Sequence, residues 1–211
     1  MTSGEALARD LVVLTPDETF RAVVAALLGR PQSLGVGRVS WDLYAHAHHD
    51  SGCLRESAGV LAPFLSTHQH ALVLFDKHGC GMDEAAPEEI EHEVEGQLQR
   101  AGWEGRARAI VLDPELEVWV WSDSPEVDRC LGWSGRQPGL RDWLRGQGLW
   151  ERSAPKPGDP KLAAQLALRE AQRGPLRPVL VDLACSVGLS RCTDRAFLRF
   201  RQTLQRWFPT H

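Results

Sequence analysis

The stretches Ala71-Leu-Val-Leu-Phe-Asp76 and Ala109-Ile-Val-Leu-Asp113-Pro-Glu115-Leu-Glu117 decide how this chain is read. Each is a short apolar run that breaks off into carboxylates. Runs of this kind suit strands buried on both faces, as in a parallel sheet. Ligands of open α/β sheets bind outside the carboxyl ends of the strands. Asp76 and the cluster Asp113, Glu115 and Glu117 are therefore expected at that edge, where grouped carboxylates suit a divalent cation. A hard ion such as Mg²⁺ or Mn²⁺ uses one or two protein carboxylates together with waters and phosphate oxygens. The pattern thus points to phosphate chemistry rather than to a closed structural metal cage.

Outward from these two runs, the N-terminal two-thirds alternates β-branched segments with amphipathic ones, the signature of βαβ units. Leu11-Val-Val-Leu14 reads as a first strand. Thr15-Pro16-Asp17-Glu18 follows as N-cap, N1 proline and acidic first turn of a helix that runs to about Leu28. Residues 36–44 read as a second strand, His46 to Asp50 as a loop, and 54–65 as a helix interrupted near Pro63. Residues 87–101 carry Ile90, Val94 and Leu98 at i, i+4, i+8, a solvated helix with one buried stripe. After the strand at 109–112, Asp113 as N-cap and Pro114 at N1 predict a helix whose first turn holds Glu115 and Glu117. The reading is an α/β domain over residues 1–123, a mostly parallel sheet flanked by helices, with a helical C-terminal part over 124–211 packed on it. Helices are expected at 162–172, 179–187 and 194–208, after a linker-like stretch at 153–160.

The chain has 211 residues, 43% of them hydrophobic, enough for a full core. A formal net charge of -4 removes any general polycation argument for nucleic-acid binding, so such binding must be argued from a local site. Five cysteines, odd in number and without a C-x-x-C pair, disfavour both a disulfide framework and a zinc ribbon and fit reduced thiols in a cytoplasm. No apolar segment approaches the ~20 residues that span a bilayer, and Met1-Thr-Ser-Gly-Glu5 lacks a secretory n-region. A cytoplasmic protein with no membrane partner is expected.

Among candidate site residues, Asp76 precedes Lys77-His78-Gly79-Cys80-Gly81, a turn whose glycines let backbone approach a ligand. Strand-end aspartates also cap turns, and Glu115 and Glu117 also serve as first-turn acids, but that role does not explain both together with Asp113. Two residues apart on a helix, the glutamates diverge, so Glu115 is the first choice to face the same ion as Asp76. Asp17 or Glu18 would complete the cluster across the sheet edge, or else both serve as ordinary helix-start acids. His46, His48, His49 and Asp50 resemble a metal-rich loop, although neighbouring histidines in a loop are more often simply solvated. Trp119, Trp121, Trp133, Trp143 and Trp150 offer rings for base stacking, with packing the commoner role. Lys156 and Lys161 border a Pro-rich stretch where they meet either phosphate or solvent.

These residues carry a resemblance. The chain resembles the Toprim-like proteins of bacterial anti-phage and overcoming-lysogenization-defect-type systems. More narrowly, Ala71 to Gly81, Asp113 to Pro125, and Cys192-Thr-Asp194-Arg-Ala-Phe197 through Trp207-Phe-Pro209 look like a small family associated with methylation-linked phage-defence loci. The resemblance implies a Toprim/Rossmann-like fold and a nuclease that hydrolyses phosphodiester bonds of DNA or RNA with Mg²⁺ or Mn²⁺. In that reading Asp76 and Glu115 hold the cation with support from Asp113, Glu117 and Asp17, Glu18 completes the site, and His78 protonates the leaving oxygen or binds phosphate. Nucleic acid and other defence-system proteins are the implied partners, with self-association left open. The sequence departs from the Toprim pattern in two places. Its first strand ends Val13-Leu14-Thr15 without a glutamate, and Asp76-Lys77-His78 stands where the family has Asp-x-Asp. The departures favour a rival reading, a scaffold or sensor subunit that keeps the fold and has lost the chemistry. A nucleotide-binding or phosphate-transferring protein ranks third, because no Walker-type or G-x-G-x-x-G loop is present.

Overall fold

The computed structural model describes residues 9–210. Four strands, β1 (Arg9–Thr15), β2 (Trp41–Ala45), β3 (His68–Asp76) and β4 (Ala107–Leu112), form one sheet in the order β2-β1-β3-β4, with every pairing parallel. Alternate residues divide between two cores. Leu11, Val13, Leu72, Leu74, Ile110 and Leu112 face one side. Val12, Leu14, Ala71, Val73, Phe75, Ala109 and Val111 face the other. Burial on both faces is why β1, β3 and β4 read as continuous apolar runs rather than alternating ones.

Helix α1 (Glu18–Leu28) and a short helix α2 (Pro31–Leu34) lie on the first face. The second face is covered by α3 (His49–Leu61) and α4 (Pro87–Leu98), the latter burying Ile90, Val94 and Leu98 as its spacing predicts. The rest of the chain adds α5 (Pro125–Cys130), α6 (Leu140–Gly146), α7 (Pro160–Glu170), α8 (Leu176–Ser186) and α9 (Arg195–Trp207). All five join the core of the α1 face. Among the described residues, no helix is long and apolar enough to cross a membrane.

Three expectations need correction. The second strand begins at Trp41: Gly37 is drawn off, its N–H donating to Phe208 O at 3.0 Å, and the Ser40 N–H is taken by the side chain Asp10 Oδ2 at 2.8 Å in place of a ladder bond. Helix α3 begins at His49 rather than Leu54, so Asp50 lies in its first turn and not in a loop. No α-helix starts at Asp113. Glu115 is extended (φ -159°, ψ 169°) and only a single 3₁₀ turn, Leu116–Trp119, follows. Proline at N1 is compatible with a helix start but does not force one, and here Glu115 is drawn out to accept the Lys161 N–H at 3.1 Å.

The tryptophans serve packing. Trp121, Trp133 and Trp150 are buried and donate their indole N–H groups to Pro160 O, Ala167 O and Ala154 O. Lys156 is likewise a structural residue, donating from Nζ to Val118 O at 2.9 Å and to Asp194 Oδ2 at 3.0 Å.

The edge of β4 is closed by side chains. Val111 N–H donates to Glu91 Oε1 at 3.0 Å and Ala109 N–H to Glu95 Oε1 at 3.1 Å. From α9, Arg195 and Arg199 pair with Glu91, Arg199 also reaches Glu95 at 2.8 Å, and Arg195 meets Glu88. Glu91 is buried, so α4, β4 and α9 are joined at one point where strand donors meet carboxylates in place of another chain. Truncating it with Glu91→Ala strands the Val111 N–H and leaves Arg195 and Arg199 with only Glu88 and Glu95 as carboxylate partners. A loss of about 2–3 kcal/mol in urea unfolding is expected, with Glu91→Gln, which keeps the acceptor, costing less.

Candidate functional site at the carboxyl edge

The order of strand addition reverses between β1 and β3: β1 leads through α1 to β2 on one side, whereas β3 lies on the other side of β1 and leads onward to β4. This is the switch point of the sheet, where the loops leaving adjacent strands diverge and open a crevice. Asp17 follows β1 and caps α1, its Oδ1 accepting the Phe20 N–H at 2.8 Å. Asp76 is the last residue of β3. Asp50, from the first turn of α3, accepts the Asp76 N–H at 2.8 Å and brings a second carboxylate to the end of β3.

Asp17, Asp76 and Glu117 line one cavity of about 190 Å³ with Lys161, Gln165 and Arg177. An adjacent cavity of about 470 Å³ is lined by His78, Glu115 and residues 158–162, and Lys161 and Gln165 of α7 border both. Lys161 Nζ stands 3.6 Å from Glu115 Oε2 and 3.8 Å from Glu117 Oε1. The two glutamates converge on one cation because Glu115 is extended and only Glu117 lies in the 3₁₀ turn. On an ordinary helix they would diverge.

Burial dominates the electrostatics. It holds Asp76 well above the usual carboxylate range, with the charges of Asp50, Glu117 and Glu115 pushing the same way and Lys161 opposing them. Glu117 is raised by burial against the pull of Lys161, and Asp50 is raised chiefly by burial. Burial would lower Lys161, but Glu117, Glu115 and Asp76 outweigh it and keep the ammonium charged. Asp76 Oδ1 is buried and has no hydrogen-bond partner. A carboxylate oxygen in that state is stable only when the group holds a proton or a cation supplies the missing partner. The donors here are all hard oxygens, but among the described residues only His46, His48 and Glu56 bring three ligand atoms within 4.8 Å of one another, so an ion among these carboxylates would draw them closer together.

Of the residues expected at the site, Asp76, Glu117 and Asp17 share one cavity, and Glu115 and His78 line the next. Glu117, not Glu115, is the glutamate beside Asp76. Glu18 is not brought to the site: it is exposed and bonded to Arg21 at 2.7 Å. Asp113 pairs instead with Lys77 at 3.6 Å and is half exposed. Asp50, Gln165 and Arg177 were not singled out for this site. The acid in the His-rich segment was a usable signal for Asp50, but no sequence pattern links α7 or α8 to the strand ends.

Beside this edge, His46, His48 and Glu56 present ligand atoms within 4.8 Å of one another and could hold a metal ion. His48 Nδ1 lies 3.1 Å from Glu56 Oε1, and His46 Nε2 lies 3.5 Å from Glu56 Oε2. Burial holds His46 below the usual histidine range. Its ring occupies space that only glycine leaves: a Cβ on Gly52 would come within 2.1 Å of His46 Nδ1. Glycine inside a helix costs about 1 kcal/mol relative to alanine, so α3 gives up stability to seat that ring.

The raised Asp76 carboxyl has a direct consequence for pH. Folding favours its protonated form, so its cost is absent below the ordinary aspartate value of about 3.9 and accrues as pH rises toward the raised value. Without metal, Asp76→Asn is expected to melt a few degrees above wild type at pH 7–8, at about 2–4 °C per kcal/mol, and level with it near pH 3–4. Added Mg²⁺ should raise the wild-type midpoint and leave the variant unchanged, as followed by thermal unfolding. Comparison with models of known protein families, with curated proteins and with solved structures finds no match to this chain.

Proposed function

We propose that the protein is a divalent-cation-dependent phosphodiesterase acting on DNA or RNA, that its fold is Toprim-like, and that it works within a bacterial anti-phage defence system. The observation that carries the chemistry is Asp76, whose Oδ1 is buried and unpartnered, lining a cavity with Asp17 and Glu117 at the switch point of the sheet. The defence context rests on the sequence resemblance alone.

Asp76, Glu117 and Asp17 would hold the ion, with Asp50 fixing the backbone of Asp76 through its hydrogen bond. When bound, Mg²⁺ or Mn²⁺ supplies Lewis acidity at a phosphoryl oxygen and lowers the pKa of a bound water. Lys161 and Arg177, on the walls of the same cavity, offer positive charge to non-bridging phosphate oxygens. His78 borders the neighbouring cavity, from which it can hand a proton to the leaving oxygen. The larger of the two cavities is open to a nucleotide, and Lys161 and Gln165 stand between it and the acids.

One observation favours the second reading, a scaffold or sensor that has lost catalysis. Lys161 sits against Glu115 and Glu117 and partly neutralises the cluster without any metal.

Cleavage of labelled single- and double-stranded DNA and of RNA, with Mg²⁺ or Mn²⁺, separates the two. The hydrolase reading expects metal-dependent cleavage, abolished by Asp76→Asn and by Glu117→Gln and reduced on the order of 10²-fold by His78→Ala. Cleavage that survives Asp76→Asn would sink the assigned site. No cleavage, combined with no calorimetric Mg²⁺ binding by the folded chain, would leave the scaffold.

A further inference from the structure

We propose that His46, His48 and Glu56 form a second metal site, selective for a zinc-type transition ion and separate from the carboxylate cavity. The inference does not depend on the hydrolase reading, because it uses none of Asp17, Asp76 or Glu117.

The anchor is His46. It follows β2 directly, and its backbone N–H donates to Thr15 O at 2.8 Å, which fixes the residue to the end of the neighbouring strand. Its side chain is 5% exposed, and Nε2 is buried with no hydrogen-bond partner. The ring packs against Gly52 so closely that any side chain there would displace it. A buried, unpartnered nitrogen is thus held rigidly at the end of β2, with two further ligands within reach. His48 and Glu56 are 67% and 51% exposed at their side chains, so they can adjust to an ion without disturbing the core.

The donor set decides the ion. Two imidazoles and one carboxylate match the three-ligand open sites of zinc, in which water or a substrate atom takes the fourth position. Mg²⁺ prefers oxygen ligands and retained waters and is poorly served by imidazole. The same segment supplies no second carboxylate to compete, because Asp50 is committed to the Asp76 N–H.

Binding has a defined cost. The His48 N–H donates to His46 Nδ1 at 2.9 Å, so the neutral, metal-free ring carries its proton on Nε2. Coordination replaces the Nε2–H bond with a metal–Nε2 bond, and the proton moves to Nδ1, where the contact with the His48 N–H is given up. The loss is confined to that one contact, since the turn keeps its other hydrogen bonds, His49 N–H to His46 O at 3.2 Å and Gly52 N–H to His48 O at 3.0 Å.

The test is titration of the full chain with Zn²⁺ by calorimetry and with Co²⁺ by visible absorption, in wild type and in His48→Ala, Glu56→Gln and Asp76→Asn, with folding checked by circular dichroism. One Zn²⁺ per chain is expected, with a Co²⁺ spectrum of tetrahedral type that Zn²⁺ abolishes and excess Mg²⁺ does not. His48→Ala and Glu56→Gln should each weaken binding at least about tenfold, and Asp76→Asn should leave it unchanged. The proposal is overturned by absence of Zn²⁺ binding, by equal binding in both exposed-ligand variants, or by loss of binding in Asp76→Asn, which would place the ion among the carboxylates. Absence of Zn²⁺ binding, or equal binding in both exposed-ligand variants, leaves the carboxylate reading untouched, so the two readings fail separately.

Discussion

A parallel sheet covered on both faces leaves its strand ends as the place where polar groups can gather without disrupting the core, and that constraint organises this molecule. The central residues of β1, β3 and β4 are apolar on both sides, so charged residues gather at the strand ends and along the outer edge of β4. At the switch point, Asp17 and Asp76 leave adjacent strands, and the Asp50 hydrogen bond to the Asp76 N–H draws α3 onto the same spot. The acids are grouped by topology first and by local hydrogen bonding second.

The grouping is electrostatically unfavourable. Asp76, Asp50 and Glu117 are all shifted toward their protonated forms by burial, while Lys161 counters only part of the charge. A protein that needed these residues only for structure would be better served by apolar ones, since burying carboxylates without full pairing costs stability. Persistent cost of this kind at a ligand-binding edge is characteristic of functional sites, where perturbed acids are poised to exchange a proton for a cation. Gly52 tells a similar story on α3, where a residue unfavourable to the helix makes room for the His46 ring.

The C-terminal helices are part of this device. α9 closes the β4 edge through Arg195 and Arg199 on Glu91 and Glu95, α7 carries Lys161 to the glutamates after β4, and α8 brings Arg177 to the cavity wall. Their apolar residues merge with those of α1 and the sheet, so the sheet and the C-terminal part share one hydrophobic core.

How much of this was legible in the residues follows from the range of the forces involved. Continuous apolar runs such as 71–75 and 109–112, and the i, i+4, i+8 stripe of Ile90, Val94 and Leu98, are local patterns set by backbone periodicity. The sequence by itself therefore determined the parallel strands, the main helices and the presence of acids at their ends. It also placed Asp76, because a strand end is a local feature, and put Asp17 at the start of α1, although the cap is Asp17 itself and not Thr15 as the sequence suggested. Which acid stands beside Asp76 was decided only in three dimensions. Glu115 is pulled straight by α7, Glu117 turns inward, Glu18 is bonded to its own helix neighbour Arg21, and Asp50 arrives from the far side of the sheet. Lys161, Arg177 and the pairing of His46 with Glu56 come from elements distant in the chain or from side-chain direction on a helix, and no spacing rule encodes those contacts. They exist because packing both faces of one sheet brings separate segments to a single edge.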